Sequence, residues 1–175
     1  PQRWGGRGRV GLGGGSGVRP AVTSASCGAC GGGADAGVDL AVASELVRNA
    51  ARVIDGIIDR SDLRRGTPSA WAEFGYGPAI IASDGLLGEA FALFSAEPRA
   101  MRTVAEAMVE LGEGEATELA ARPTNEAEYM ELARRKTGAL FRAAAELGAV
   151  AGDADPHAVD SFGEYAERVG VAFQM

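Results

Sequence analysis

From Val38 nearly to the end of the chain, apolar residues recur at helical spacing, and glycines and prolines break the runs. The pattern predicts helices at about 38–60, 78–95, 98–121, 125–151 and 156–174. Pro78 falls early in the second helix, where its missing N–H costs nothing. Thr124 or Asn125 can cap the fourth helix, and Glu126 and Glu128 suit the positive end of its dipole. Runs of alternating β-branched residues are absent, so the expected class is all-α. Residues 5–33 are Gly-rich, and the stretch Cys27-Gly-Ala-Cys-Gly-Gly-Gly-Ala34 is expected to bring little side-chain mass to a core. At 175 residues the chain suits one domain.

The helix at 38–60 is the most informative. Leu46, Val47, Ala50, Val53, Ile54, Ile57 and Ile58 fall on one stripe, which must be buried. Arg48, Arg52, Asp55, Asp59 and, if the helix reaches it, Asp62 fall on the other side. One reading of that side is a solvated face laced by pairs such as Arg52–Asp55. The other is a carboxylate cluster facing a polar cavity, since carboxylates one turn apart can share Mg²⁺ ions that bridge to phosphates. The following Asp62-Leu-Arg-Arg-Gly66 favours the second reading, because guanidinium groups grip phosphate oxygens bidentately.

Composition narrows the function further. The chain is 46% hydrophobic and 23% charged, as in a globular protein, and its net charge is −7. An acidic surface repels nucleic acid and anionic membranes, so neither is an expected partner. The four arginines and no acids of residues 1–30 leave the acidity concentrated in the remainder. No run of 18 apolar residues and no signal-peptide pattern occurs, so no transmembrane segment and a cytoplasmic location are expected. The chain opens on Pro1 instead of Met, the mark of processing or of a fragment. Two cysteines and one histidine are too few for a disulfide framework or a zinc site. Cys27 and Cys30 are expected to pack, and His157 to lie at the surface. The run Gly11–Gly17 follows no strand, which argues against a dinucleotide loop. Lys136 is the chain's single lysine.

Five ordered segments resemble the trans-prenyl (polyprenyl) diphosphate synthase family. Residues Glu45–Gly66, ending Asp55-Gly-Ile-Ile-Asp-Arg-Ser-Asp-Leu-Arg-Arg-Gly66, resemble its first aspartate-rich motif, D-D-x-x-D, followed by L-R-R-G. Ser83-Asp-Gly-Leu-Leu-Gly-Glu-Ala-Phe91 resembles the G-D-x-L-L helix, and Glu113-Gly-Glu-Ala-Thr-Glu-Leu119 the E-G-E segment. Arg135-Lys-Thr-Gly-Ala-Leu-Phe141 resembles R-K-T-x-x-L-F, and Phe173-Gln174 the F-Q before a second aspartate-rich motif. The resemblance implies an all-α antiparallel helical bundle around a central cavity, here a single partial domain over 1–175, truncated before that second motif. It implies condensation of an allylic diphosphate with isopentenyl diphosphate, with Mg²⁺ stabilising the leaving diphosphate in a dry apolar tunnel.

Carried over residue by residue, Asp55 and Asp59 match metal-binding aspartates. Arg64, Lys136, Thr137 and Gln174 match the allylic-diphosphate site, and Arg19 and Arg65 the isopentenyl-diphosphate site. Ala50 and Ala51, small residues one to two turns before Asp55, match the tunnel floor and imply products of geranylgeranyl length or longer. Glu115 and Glu118 are expected beside the cavity, and Phe91, Phe94 and Phe141 in the core or tunnel lining. The sequence departs from the pattern at Gly56, which replaces the second aspartate, at Ser16 and Gly17, which replace Lys-Arg in the Gly14–Pro20 loop, and at Arg48, which replaces a histidine. These departures support an alternative, a non-catalytic paralogue that pairs with an active synthase. The resemblance implies a homodimer; the paralogue would form a heterodimer.

Overall fold

The computed structural model describes residues 17–33, 35–64 and 66–175. Along the chain run α1 (Val18–Ala29), α2 (Val38–Ile58), a minimal hairpin β1 (Leu63–Arg64) and β2 (Thr67–Pro68), α3 (Ala70–Phe74), α4 (Tyr76–Phe94), α5 (Pro98–Ala120), α6 (Glu126–Ala133), a π-helical turn (Arg134–Gly138), α7 (Ala139–Ala151) and α8 (Pro156–Gln174). The fold is all-α: neighbours such as α7 and α8, which pack together across a short connection, run antiparallel. The hairpin pairs Leu63 with Pro68 and Arg64 with Thr67.

Local chemistry sets most boundaries. Asn125 is the cap of α6: its Oδ1 accepts from Glu128 N at 3.0 Å, and Glu128 reaches back to Thr124 N at 2.8 Å. Asp155 caps α8 by accepting from Ala158 N, with Pro156 in the first turn. The main core joins four helices through Leu40, Ala43 and Val47 of α2, Ala90 and Phe94 of α4, Ala100 and Val104 of α5, and Leu147 of α7. A second cluster seats Phe141 and Ala145 of α7 on Ala166 of α8, with Val18 and Val22 of α1 alongside.

Several expectations change. The Gly-rich segment does enter the core, because its second half is α1, with Thr23, Ser26 and Cys27 buried. Small side chains are the reason: α1 lies so close to α7 that a Cβ on Gly148 would stand 2.1 Å from the Thr23 carbonyl oxygen. Thr23 Oγ1 donates to the Ala144 carbonyl at 2.9 Å across that contact. Cys27 is buried and Cys30 half-buried, both as free thiols, as packing predicts. Helix α2 ends at Ile58, which leaves Asp62 on an exposed loop. Phe94 and Phe141 are buried, whereas Phe91 is 40% exposed. His157 is exposed.

Helix α4 turns much of its apolar surface outward. Its buried positions are Ala79, Ser83, Ala90 and Phe94, while Ile80, Ile81 and Phe91 face outward. By length and composition it could cross a membrane, which the search for an unbroken apolar run did not show. Ser83 nonetheless anchors it to the bundle by donating to the Ala50 carbonyl.

Close approach of α1 and α7 predicts that Gly148→Ala costs at least ~2 kcal/mol of stability, since neither backbone has room to yield. Urea denaturation of the two proteins tests this; an unchanged midpoint would contradict it.

Candidate active site

A cavity of about 690 Å³ opens between α2, α5, α7 and α8. Helix α2 lines it on a broad face that includes both apolar and charged residues. Val47, Ala50, Ala51, Ile54 and Ile58 share it with Arg48, Arg52, Asp55 and Asp59. The polar side of α2 is therefore cavity wall, not solvated surface. Val53 and Gly56 are buried on the packed side of the same helix.

The first wall is acidic. Asp55 and Asp59 lie one turn apart, and Arg64 spans them from the hairpin: its Nη2 donates to Asp59 Oδ2 at 2.7 Å and stands 3.6 Å from Asp55 Oδ2. Arg64 Nε is buried with no hydrogen-bond partner. A cation already sits on the carboxylate pair.

The second wall is the π-helical turn. Its extra residue lets Ala139 N donate five residues back to Arg134 O, and it carries consecutive Lys136 and Thr137 to the cavity. Lys136 Nζ is held by Glu115 at 2.9 Å and by Glu118. Burial pulls the Lys136 pKa down, but hydrogen bonds to Glu118 and Glu115 outweigh it and leave it raised. Burial raises Glu115 to about 6 against the opposing pull of Lys136, with further help from the Asp55 charge. Thr137 Oγ1 donates to Gln174 Oε1 at 2.8 Å. Gly114 lets this turn rest on α5, since a Cβ there would meet Lys136 Cγ at 3.0 Å.

Ion pairs brace the turn from behind. Arg134 reaches Glu110 at 2.6 Å, Glu131 at 2.9 Å and Glu167 at 3.3 Å. Arg135 reaches Glu131 at 2.7 Å and Glu113 at 3.0 Å. Hydrogen bonds from Arg134 and Arg135 hold the Glu131 carboxyl down near 2.

The third wall is basic. Arg48 is buried and its Nε donates to both carboxylate oxygens of Glu45, at 3.0 and 2.9 Å. Arg19, from α1, lies with its guanidinium carbon 5.1 Å from the Phe141 ring centroid, and its Nε has no hydrogen-bond partner. Burial, and then the nearby Arg48 charge, lower its pKa to about 10. Such a group favours an anion.

The structure thus brings Arg19, Ala50, Ala51, Asp55, Asp59, Arg64, Lys136, Thr137 and Gln174 to one cavity. Arg65 and Ser16 lie outside the described residues. Gly17 is described, and its φ of 62° is a conformation that an arginine would adopt only with strain. Gly56 turns away from the cavity: a Cβ built on it would lie 3.8 Å from Ser69 Cβ and 3.8 Å from Trp71 Cδ1. Among the described residues no group of three or more acidic, histidine or cysteine side chains is placed to hold a metal. Asp55 and Asp59 alone form an all-oxygen pair. That suits Mg²⁺, which binds through one or two carboxylates plus substrate phosphates. Sequence reasoning missed Trp71 on the side toward which Gly56 points, which no periodicity signals.

The sequence model of the polyprenyl synthetase family matches residues 10–175. The geranylgeranyl diphosphate synthase of Methanosarcina mazei is 34% identical over 172 residues, covering 93% of this chain and 53% of that protein. The crystal structure of geranylgeranyl pyrophosphate synthetase from Pyrococcus horikoshii superposes with a TM-score of 0.88 at 33% identity, covering 98% of this chain and 55% of that one. A polyprenyl synthase from Caulobacter crescentus, solved with calcium and isoprenyl diphosphate, gives a TM-score of 0.91 at 30% identity, covering 97% and 54%. The chain belongs to the polyprenyl synthetase family. It spans about half the length of the curated relatives it matches.

The raised Glu115 pKa fixes a sign. The folded state holds this proton more tightly than the unfolded chain, so the stability it contributes is fully present below about 4.5 and lost as pH rises through about 6. Wild type should therefore lose stability relative to Glu115→Gln between those values. Denaturation curves of both proteins across that range test it, and a constant difference would refute it.

Proposed function

We propose that this cavity joins an allylic diphosphate to isopentenyl diphosphate, giving a longer trans-prenyl diphosphate. The observation that carries the reading is one cavity with two cationic regions beside an apolar bore. Arg64 and Lys136 rest on carboxylate pairs at one side, Arg19 and Arg48 lie at the other, and Val47, Ala50, Leu87, Met108, Leu111 and Leu140 line the space between or beyond.

In this reading Arg64, Lys136, Thr137 and Gln174 grip the allylic diphosphate, and Arg64 and Lys136 exchange carboxylates for phosphate oxygens. Asp55 and Asp59 then take Mg²⁺, which when bound supplies charge neutralisation for the departing diphosphate. Arg19 and Arg65 hold isopentenyl diphosphate, with Arg48 as the third charge. The apolar bore excludes water while the carbon–oxygen bond breaks. Ala50 and Ala51 leave the bore open, which favours geranylgeranyl or longer products. The outward Ile80, Ile81 and Phe91 of α4 support a homodimer, because an apolar face of this kind gains by being covered. The paralogue reading loses one of its supports, since the missing carboxylate at Gly56 would not have faced the cavity.

The protein is tested with farnesyl diphosphate, labelled isopentenyl diphosphate and Mg²⁺. Label should enter a longer prenyl diphosphate, chelation should abolish it, and Asp55→Asn should lower the rate roughly 10²-fold or more. Binding of diphosphate without any turnover would return the paralogue reading. Ala50→Phe should shorten the product; an unchanged length would remove Ala50 from the floor. Ile81→Asp should shift the protein toward monomer in light scattering.

A further inference from the structure

The hairpin that carries Arg64 has two residues in each strand, too few to hold its own geometry. Contacts at its base do so instead. Ser61 N donates to the Gly56 carbonyl at 3.1 Å, and Ser69 N donates to the Asp62 carbonyl at 2.8 Å. Trp71 Nε1 donates to the Ser61 carbonyl at 3.1 Å, so Gly56, Ser61 and Trp71 form one chain of hydrogen bonds. The indole stacks on Tyr76, with centroids 5.0 Å apart and planes 7° from parallel. Its Cδ1 edge lies in the direction that a side chain at Gly56 would take. A methyl there would lie in ordinary van der Waals contact with the indole edge and with Ser69 Cβ.

We propose that Trp71, hydrogen-bonded to the Ser61 carbonyl at the base of the hairpin, is a positioning residue for Arg64. It fixes the base of the hairpin so that the guanidinium lies over Asp55 and Asp59, where a diphosphate meets it. This rests on the diphosphate reading of the cavity.

The test is the affinity of the full chain for inorganic pyrophosphate with Mg²⁺, measured calorimetrically for wild type, Trp71→Ala, Trp71→Phe, Arg64→Gln and the double variant Trp71→Ala/Arg64→Gln. Trp71→Ala should weaken binding roughly tenfold, the order of one charge-assisted hydrogen bond. In the Arg64→Gln background it should weaken binding no further, because Trp71 acts through Arg64. Trp71→Phe keeps a stacking ring without the indole N–H and should fall between. Unchanged affinity in Trp71→Ala, or a full additional loss in the double variant, overturns the proposal. Hydrogen exchange at residues 61–69 separates its failure from that of the diphosphate reading. If wild type binds no pyrophosphate, that reading fails, and the anchoring role stands only if Trp71→Ala speeds exchange across the hairpin.

Discussion

Carboxylates hold the cations of the cavity's acidic side in pairs: Arg64 lies between Asp55 and Asp59, and Lys136 between Glu115 and Glu118. Half-buried charges gain by being paired, and here each cation has two carboxylates beside it. The carboxylates neutralise the cations without a ligand. In the proposed function a bound diphosphate would take over the cations and leave the acids free for a metal ion. Arg19 lacks such a counter-ion on its Nε, and its lowered pKa records the cost of that position.

This balance depends on the backbone that presents it. A π-helical turn places Lys136 and Thr137 side by side, and Gly114 lets the lysine stem lie on α5. Arg134 and Arg135 tie the turn to three helices through Glu110, Glu113, Glu131 and Glu167. Gly138 and Gly170 let α8 come close enough to bring Gln174 to Thr137: a Cβ on Gly170 would stand 2.9 Å from Phe141 Cβ. On the other side, a two-residue hairpin and an indole do the equivalent for Arg64.

Much of this was legible in the chain. Helical periodicity located α2, α4, α5 and α8, and the pairing of Asp55 with Asp59 beside Asp62-Leu-Arg-Arg-Gly66 pointed to a phosphate–metal site. The resemblance placed the single lysine at the same site. Periodicity missed helix α1 because its buried residues are small, and hydrophobic mass is a poor guide where Gly148 allows backbone to touch backbone. Phe91 was misplaced because α4 buries Ala79, Ser83, Ala90 and Phe94 and turns Phe91 outward with Ile80 and Ile81.

By itself, then, the sequence determined the helical class, the acidic face of α2 and the residue types able to hold a diphosphate, because periodicity and side-chain chemistry are local properties. Only the tertiary structure decided that this face lines a cavity, that Gly56 turns from it toward Trp71, and that Glu115 and Glu118 hold Lys136. Those facts depend on which helices meet and how closely, and contact between residues distant in the chain leaves no period to read.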